Sequence, residues 1–418
     1  MDSSHARWGH WRSVVVAVGL LGLFVEQTQA QSSRRQGKTE AAASRARDVR
    51  SRHFLIHTDL SLDEANQLVA RLETLLHLIS TYWGRPMQGV IECYVVRDLD
   101  TFPVTGMDVT GIRAIRMVGG MNLMRTATDG QRYLAKSVVY ANDRPEVVQH
   151  EVVHAYCHHT FGRIGPVWYS EGMAEMGHYW VDGDSAVRAD AREIEFLRAR
   201  SPRSLADALS PEQGTGDSWQ NYATRWALCH FLAHAPNYST HFVALGRGLL
   251  TGQDLSFEHV YGARARELSF EYQFFLEHIS PGYRVDRCVW DWSKTSTGLR
   301  PGGELTATIA AGRGWQPTGL TIGSGMEYQY LATGKWQVAG VPAAVDADGD
   351  QRGRGRLVGV VMNNYQLGAE FELGTAGSLR PATGGDLYLR CRQAWNELAD
   401  DTGRLSVRLK LPGRRPRG

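Results

Sequence analysis

The chain has 418 residues, and its 46 Lys and Arg against 44 Asp and Glu give a net charge of +2. This balance gives no electrostatic reason to expect nucleic acid or an anionic membrane surface as a partner. The hydrophobic fraction of 43% is that of ordinary globular proteins. The length predicts two or three folded domains.

The N-terminus has the pattern of a secretory signal peptide over residues 1–30. Two early arginines precede an apolar stretch over residues 13–25, and a small-residue site ends at Ala30. We therefore expect cleavage after Ala30 and a secreted or periplasmic protein. The apolar stretch is shorter than the roughly 20 residues of a membrane span, so no stable span is expected, with a retained anchor as the alternative. Residues 31–50 are polar and predict a flexible linker.

Residues 51–280 mix strand and helix patterns, which predicts an α+β domain with a small sheet and a helical bundle. The predicted strands are residues 54–58, 91–96 and 137–141, and the predicted helices are residues 62–83, 143–161, 170–179, 190–200, 220–234, 238–249 and 264–278.

The motif H-E-x-x-H occupies His150–His154 inside one of these predicted helices. Residues four apart lie on one helix face, so both imidazoles can bind one metal ion while Glu151 stands beside it as a general base. Asp143 is the predicted N-cap of this helix, with Pro145 in the first turn and Gly162 as the stop. The alternative is two surface histidines on an ordinary amphipathic helix.

A hydrolytic zinc site needs a third protein ligand and one open position. Sixteen residues separate His154 from Glu171, which lies in a second predicted helix beginning near Ser170. That gap allows a turn and an antiparallel return, so Glu171 is the candidate third ligand.

H-E-x-x-H followed by W-x-S-E-G-x-A-E resembles the gluzincin metallopeptidases, in which the Glu of an N-E-G or S-E-G motif completes the zinc site. The gap and the Ser before Glu171 are similar to the bacterial peptidase-MA-like proteins, whereas aminopeptidase-N-type enzymes have a longer gap. The resemblance implies a zinc ion held by His150, His154 and Glu171. Glu175, one turn further on, is expected to orient His154 or a backbone group, or else to be a solvated helix residue.

The predicted helix from Asn221 to Leu232 resembles the Y-x-K-G-x-x-L helix of aminopeptidase-type gluzincins, and departs from it at Arg225–Trp226. The resemblance implies that Tyr222 donates a hydrogen bond to the oxyanion of the reaction. The alternative is plain packing. We interpret the remaining nearby candidates as structural groups: His158, His159, His178, His230 and Cys157.

Beyond residue 280 the chain is rich in Gly and in short alternating runs, which predicts a β-sandwich over residues 285–413. The runs Gly355–Gly359 (G-x-L-x-G) and Gly385–Arg390 (G-x-L-Y-L-R) resemble the PA-IL type galactose-binding lectins, as does the turn Asp400–Gly403. This resemblance implies calcium at Asp400 and Asp401 and a carbohydrate partner. The alternative is a simple hairpin turn.

Two other features give weaker evidence for a calcium site and for a disulfide. Asp346–Asp350 fails the EF-hand template because Leu357 occupies the position of the bidentate Glu. Of the five cysteines, Cys288 and Cys391 both follow residue 280, and export would permit a disulfide between them.

The sequence therefore predicts an exported zinc metallopeptidase acting on peptide or protein substrates, with an accessory β-sandwich. Gly119–Asn122 lacks the Glu of the exopeptidase G-x-M-E-N motif, which favours endopeptidase action. Two alternatives stay open: a carbohydrate- or cell-wall-binding protein that uses the peptidase-like domain as a scaffold, and a zinc hydrolase of a non-peptide amide.

Overall fold

The computed structural model describes residues 46–128, 133–199, 204–210 and 218–413. The predicted signal peptide and residues 31–45 of the predicted linker lie outside these residues. The chain divides into two compact units. Among the described residues, the first unit holds those up to His178, those within Ser210–Tyr222 and Gly246–Gln253, and the second holds those within Tyr179–Leu209, Ala223–Leu245 and from Asp254 onward.

The first unit is built on a mixed five-stranded sheet in the order β1-β2-β3-β5-β4. β2, β3 and β5 run parallel, while the two edge strands β1 and β4 pair antiparallel with their neighbours. The elements up to His178 are β1 (Arg47–Arg50), β2 (Phe54–Thr58), α1 (Leu62–Trp83), β3 (Ile91–Val95), α2 (Val109–Val118), β4 (Gly120–Thr128), β5 (Tyr133–Ala141), α3 (Pro145–Phe161) and α4 (Val167–His178).

Helix α1 has the bounds predicted from sequence, since its start and stop signals are local. Ser61 and Glu64 form a capping box, and Gly84 ends the helix in the left-handed region at φ 67°. Its buried residues recur every three or four positions, which gives α1 one apolar face for the core.

Helix α3 is buried over most of its length, from Val147 to His158. It ends at Gly162 with φ 72°, as predicted. The predicted N-cap is wrong: Arg144 takes that position, because the Asp143 carboxylate instead accepts a hydrogen bond from Arg97 Nε at 2.7 Å. Strand β4 was not predicted, although it forms the sheet edge beside α3.

Helices continue the chain up to Cys288. They are α5 (Ala191–Ala199), α6 (Leu205–Leu209), α7 (Trp219–His234), α8 (Ser239–Thr251), α9 (Phe257–Tyr261), α10 (Ala265–His278) and α11 (Val285–Cys288). Helix α7 contributes Trp219–Tyr222 to the first unit and its remaining length to the second. No helix among the described residues is both long and apolar enough to cross a bilayer.

The rest of the second unit is a sandwich of two antiparallel sheets, in the orders β10-β9-β13-β7 and β12-β8-β14-β6, with β11 also paired to β9. Their inward side chains share one core that includes Ile309, Leu320, Leu357, Leu389 and Leu405. The strands are β6 (Glu304–Ala310), β7 (Gln316–Ile322), β8 (Tyr328–Gln337), β9 (Leu357–Asn363), β10 (Gln366–Leu367), β11 (Phe371–Glu372), β12 (Ala376–Leu379), β13 (Gly385–Cys391) and β14 (Thr402–Lys410).

Within the second unit, helix α10 is joined to the sandwich by buried aromatic side chains. Phe274 of α10 packs in one cluster with Trp290, Trp315 and Tyr388. Buried Glu271 accepts a hydrogen bond from Trp290 N at 2.6 Å, which fixes the connecting segment to the helix. The mixed α+β class is thus confirmed, while the domain limits 51–280 and 285–413 stay predictions.

All five cysteines are buried and carry free thiols, so the disulfide that export would permit between Cys288 and Cys391 is not formed. Burial raises the pKa of both thiols to about 12. They therefore behave as small apolar core residues.

Candidate metal centre

Helix α3 places His150 and His154 on one face, one turn apart. Their Nε2 atoms lie 3.2 Å from each other, and both side chains are almost fully buried. Two imidazole nitrogens at this separation are aimed at one common point rather than at solvent.

Glu171 comes to the same point from helix α4. Its Oε2 lies 3.5 Å from His150 Nε2 and 3.5 Å from His154 Nε2. Tetrahedral ligands about 2.0–2.1 Å from a zinc ion stand about 3.3 Å apart. The three edges of this triangle are therefore close to those that three ligands of one zinc ion would have.

The hydrogen bonding and charge of the cluster also fit a cation. Both oxygens of Glu171 are buried, and no described residue donates a hydrogen bond of favourable geometry to them. Glu151 and Glu175 are buried close by. Three buried carboxylates need positive charge to offset their desolvation, and two imidazoles with one carboxylate form a donor set that zinc prefers.

The pKa values of the cluster residues also indicate that positive charge is favoured at this point. Burial would lower the pKa of His150, but the Glu171 and Glu175 carboxylates close to its ring nitrogens outweigh it and raise that pKa well above its usual value. Burial likewise opposes ionisation of Glu171, yet the charges of His154 and His150 lower its pKa to about 2. The carboxylate is thus held ionised at neutral pH, the form that binds a metal.

Glu175 lies one turn after Glu171 and holds His150, not His154. Its Oε1 is 3.0 Å from His150 Nδ1. This close contact places a carboxylate behind the His150 ring, on the side opposite to Nε2, where carboxylates commonly stand behind metal-bound histidines. His178, which the sequence analysis interpreted as a structural group, brings a further ring nitrogen close to Glu175 and His150.

Glu151 sits beside the ligand triangle and against strand β4. Burial raises its pKa, although the charges of His150 and His154 act in the opposite direction. A Cβ atom on Gly120 would stand 2.7 Å from Val147 Cγ1 and 3.4 Å from Glu151 Cγ. Glycine at the start of β4 therefore lets the sheet edge approach the carboxylate closely.

Tyr222 is buried, and its ring meets the His150 ring edge-on with centroids 5.9 Å apart. Helix α7 thus brings the predicted oxyanion donor to the same cluster as His150, His154, Glu151, Glu171 and Glu175.

In the second unit, Asp400 and Asp401 lie before strand β14. Asp401 is buried, and its Oδ1 accepts a hydrogen bond from Ala339 N at 2.8 Å. Burial raises its pKa to about 6, and the charges of Glu397 and Asp400 add to this. Within the described residues these side chains do not form a group of three close metal donors, so calcium here stays a prediction.

No family model matches the chain. No curated protein matches it either. Among solved structures, the EclA N-terminal domain, a PllA-like lectin, has 17% identity over 25% of this chain and 93% of its own, with a TM-score of 0.22. The IMPa metallopeptidase from Pseudomonas aeruginosa, also solved with an O-glycopeptide, has 12% identity and a TM-score of 0.18 over 46% of this chain.

This chain spans only 23% of the IMPa chain that it matches. All of these TM-scores are below 0.5, too low to support a fold or a function. The neighbours include a metallopeptidase and a lectin.

Proposed function

We propose that this protein is a zinc-dependent peptidase whose metal is held by His150, His154 and Glu171. The observation that carries this proposal is the ligand triangle with edges of 3.2, 3.5 and 3.5 Å, with buried Glu151 directly beside it. A site that only stores metal has no need for a further buried carboxylate next to its ligands.

When bound, zinc supplies the Lewis acidity that activates water and polarises a carbonyl group. Glu151 takes the proton of the attacking water and passes it to the nitrogen of the leaving amine. Its buried position beside the ligand triangle places the carboxyl group where it can both accept and release this proton. The Tyr222 hydroxyl donates a hydrogen bond to the oxygen on which negative charge develops and keeps its proton.

The open edge of strand β4 supports a peptide as the substrate. β4 pairs with β5 on one side, and within the described residues no strand pairs with its other side. An extended peptide can add to such an edge by main-chain hydrogen bonds. Because the edge begins at Gly120 beside Glu151, we propose endopeptidase cleavage of a chain lying along it.

The direct test is cleavage of a broad peptide library by the wild type and by Glu151→Gln, with zinc content measured in both. Glu151→Gln should retain zinc and lose nearly all turnover. The matched control is Glu146→Gln, the same substitution in the first turn of the same helix, which should retain turnover. Equal turnover in wild type and Glu151→Gln refutes the mechanism. Bound zinc with no cleavage of any peptide favours hydrolysis of a non-peptide amide instead.

We also propose that the protein is exported, on the pattern of residues 1–30. N-terminal sequencing of the mature protein from its native host should give Gln31 as the first residue. An intact N-terminus in the cytoplasm would refute this.

For the sandwich we propose calcium-dependent carbohydrate binding at the turn before β14. The specific observation is Asp401, a buried carboxylate at this turn whose Oδ2 has no hydrogen bond of favourable geometry within the described residues. Calorimetric titration of the whole protein with calcium should show binding that Asp401→Asn removes, and galactose binding should then depend on calcium. Absence of calcium binding in the wild type refutes this role.

A further inference from the structure

Gln149, next to the first histidine ligand, has a fully buried amide joined to two other helices. Its Nε2 donates to the main-chain oxygen of Gly177 in α4 at 2.9 Å, and its Oε1 accepts from Arg71 Nε of α1 at 2.5 Å. Only this orientation of the amide satisfies both partners, since a guanidinium can only donate and a carbonyl can only accept. One side chain of α3 therefore connects α1 and α4.

The amide links α3 to α4, and the spacing between these two helices determines whether the three candidate ligands can meet. α3 supplies two ligands and α4 supplies the third, so the triangle exists only if the helices keep their distance and rotation. The last turn of α4 makes two contacts with neighbouring residues of α3: Glu175 with His150, and the Gly177 carbonyl with Gln149. Glu171 is thereby held at the ligand point from one end of its own helix.

Arg71 gives the amide its fixed direction. The guanidinium lies on an exposed part of α1, while the amide that it contacts is completely buried. A hydrogen bond from a charged donor is shorter and stronger than one between neutral groups. It therefore prevents the amide from turning its oxygen towards the Gly177 carbonyl.

We propose that Gln149 is a positioning residue of the metal centre, which sets the approach of Glu171 to the two histidines through the Gly177 carbonyl. This inference rests on the proposed function only in that the triangle binds zinc; it does not require that the substrate be a peptide. Gln149 touches neither the metal point nor the substrate, so its effect should appear in zinc affinity rather than in the chemical step.

The test measures the zinc dissociation constant by competition with a chromogenic chelator, and the melting temperature of the metal-free protein. Gln149→Met keeps the volume of the side chain and removes both hydrogen bonds; we expect zinc binding at least tenfold weaker. Gln149→Glu keeps the bond from Arg71 but turns an acceptor towards the Gly177 carbonyl, so it should weaken zinc binding as well. Arg71→Met should have a smaller effect, about threefold. The control is Gln67→Met, the same change at an exposed position of α1.

The outcomes separate this inference from the proposed function. An unchanged zinc affinity in Gln149→Met, with only a lower melting temperature, shows a merely structural role and overturns the inference. Zinc binding by the wild type without peptide cleavage overturns the peptidase assignment and leaves the inference standing. A wild type that binds no zinc overturns both.

Discussion

The substitution Gly177→Ala tests directly whether the close approach of α3 and α4 holds the metal centre together. A Cβ atom at Gly177 would lie 2.6 Å from Val153 Cγ2 and 3.4 Å from the main-chain oxygen of Gln149. Carbon atoms in contact normally stand about 3.5–4.0 Å apart. The last turn of α4 must therefore move away from α3 by about 1 Å.

A shift of about 1 Å is large for this site. Overpacking of this kind costs about 1–3 kcal/mol in the free energy of unfolding. The distances of 3.5 Å from Glu171 Oε2 to the two histidine nitrogens already slightly exceed the tetrahedral edge of about 3.3 Å. A further increase leaves Glu171 unable to share one ion with both histidines. We therefore expect zinc affinity to fall at least tenfold.

The assay combines denaturant unfolding of the metal-free protein with chelator competition for zinc. Val153→Ala is the matched control because it removes the methyl group that the new Cβ would meet. Val153→Ala alone should cost about 2 kcal/mol as a cavity. The double variant should recover much of the zinc affinity and should be more stable than the sum of the two single effects predicts, by about 1–2 kcal/mol.

Two results would refute this reasoning. One is a Gly177→Ala variant with unchanged stability and unchanged zinc affinity, which would show that the helices separate without cost. The other is simple additivity of the two substitutions, which would show that Val153 is not the group in contact.

The remaining predictions concern single side chains. Glu175→Gln should weaken zinc binding about 10- to 100-fold by removing the carboxylate behind His150, and chelator competition with unchanged affinity would contradict this. Tyr222→Phe should retain zinc and lower kcat about 10²- to 10³-fold; in steady-state kinetics, an unchanged kcat would return Tyr222 to plain packing. Burial keeps the folded-state pKa of His230 well below its usual value, so stability falls as pH drops below the unfolded pKa of about 6.5. His230→Phe should reduce that fall by up to about 1.4 kcal/mol per pH unit, and pH-dependent unfolding curves with unchanged slope would contradict this.

The sequence by itself determined the elements whose signals are local. Helix α1 has its predicted bounds because Ser61, Glu64 and Gly84 specify its ends within a few residues of the chain. The helix that carries the candidate ligands was recognisable because His150 and His154 are four residues apart. On a helix, this spacing places both side chains on the same face. The predicted zinc ligands are also three residues that the structure brings together.

Local sequence signals gave a wrong or missing prediction where the structure depends on an interaction that those signals do not record. Asp143 has the residue type of an N-cap, but Arg97 of the neighbouring loop binds it instead. Strand β4 shows no strong alternation of polar and apolar residues. It is recognised as a strand by its hydrogen-bonded pairing with β5. Asp143 and Arg97 are 46 residues apart in the chain, and no short pattern records such a contact.

Only the tertiary structure decided which atoms meet at the metal centre. That Glu175 holds His150 rather than His154 depends on the rotation of α4 about its own axis. That Gln149 reaches both Gly177 and Arg71 depends on the packing of three helices. Periodicity specifies which face of a helix is buried, whereas rotation and spacing are set by close packing between helices, and a difference of about 1 Å there separates a metal site from a cluster of buried charges.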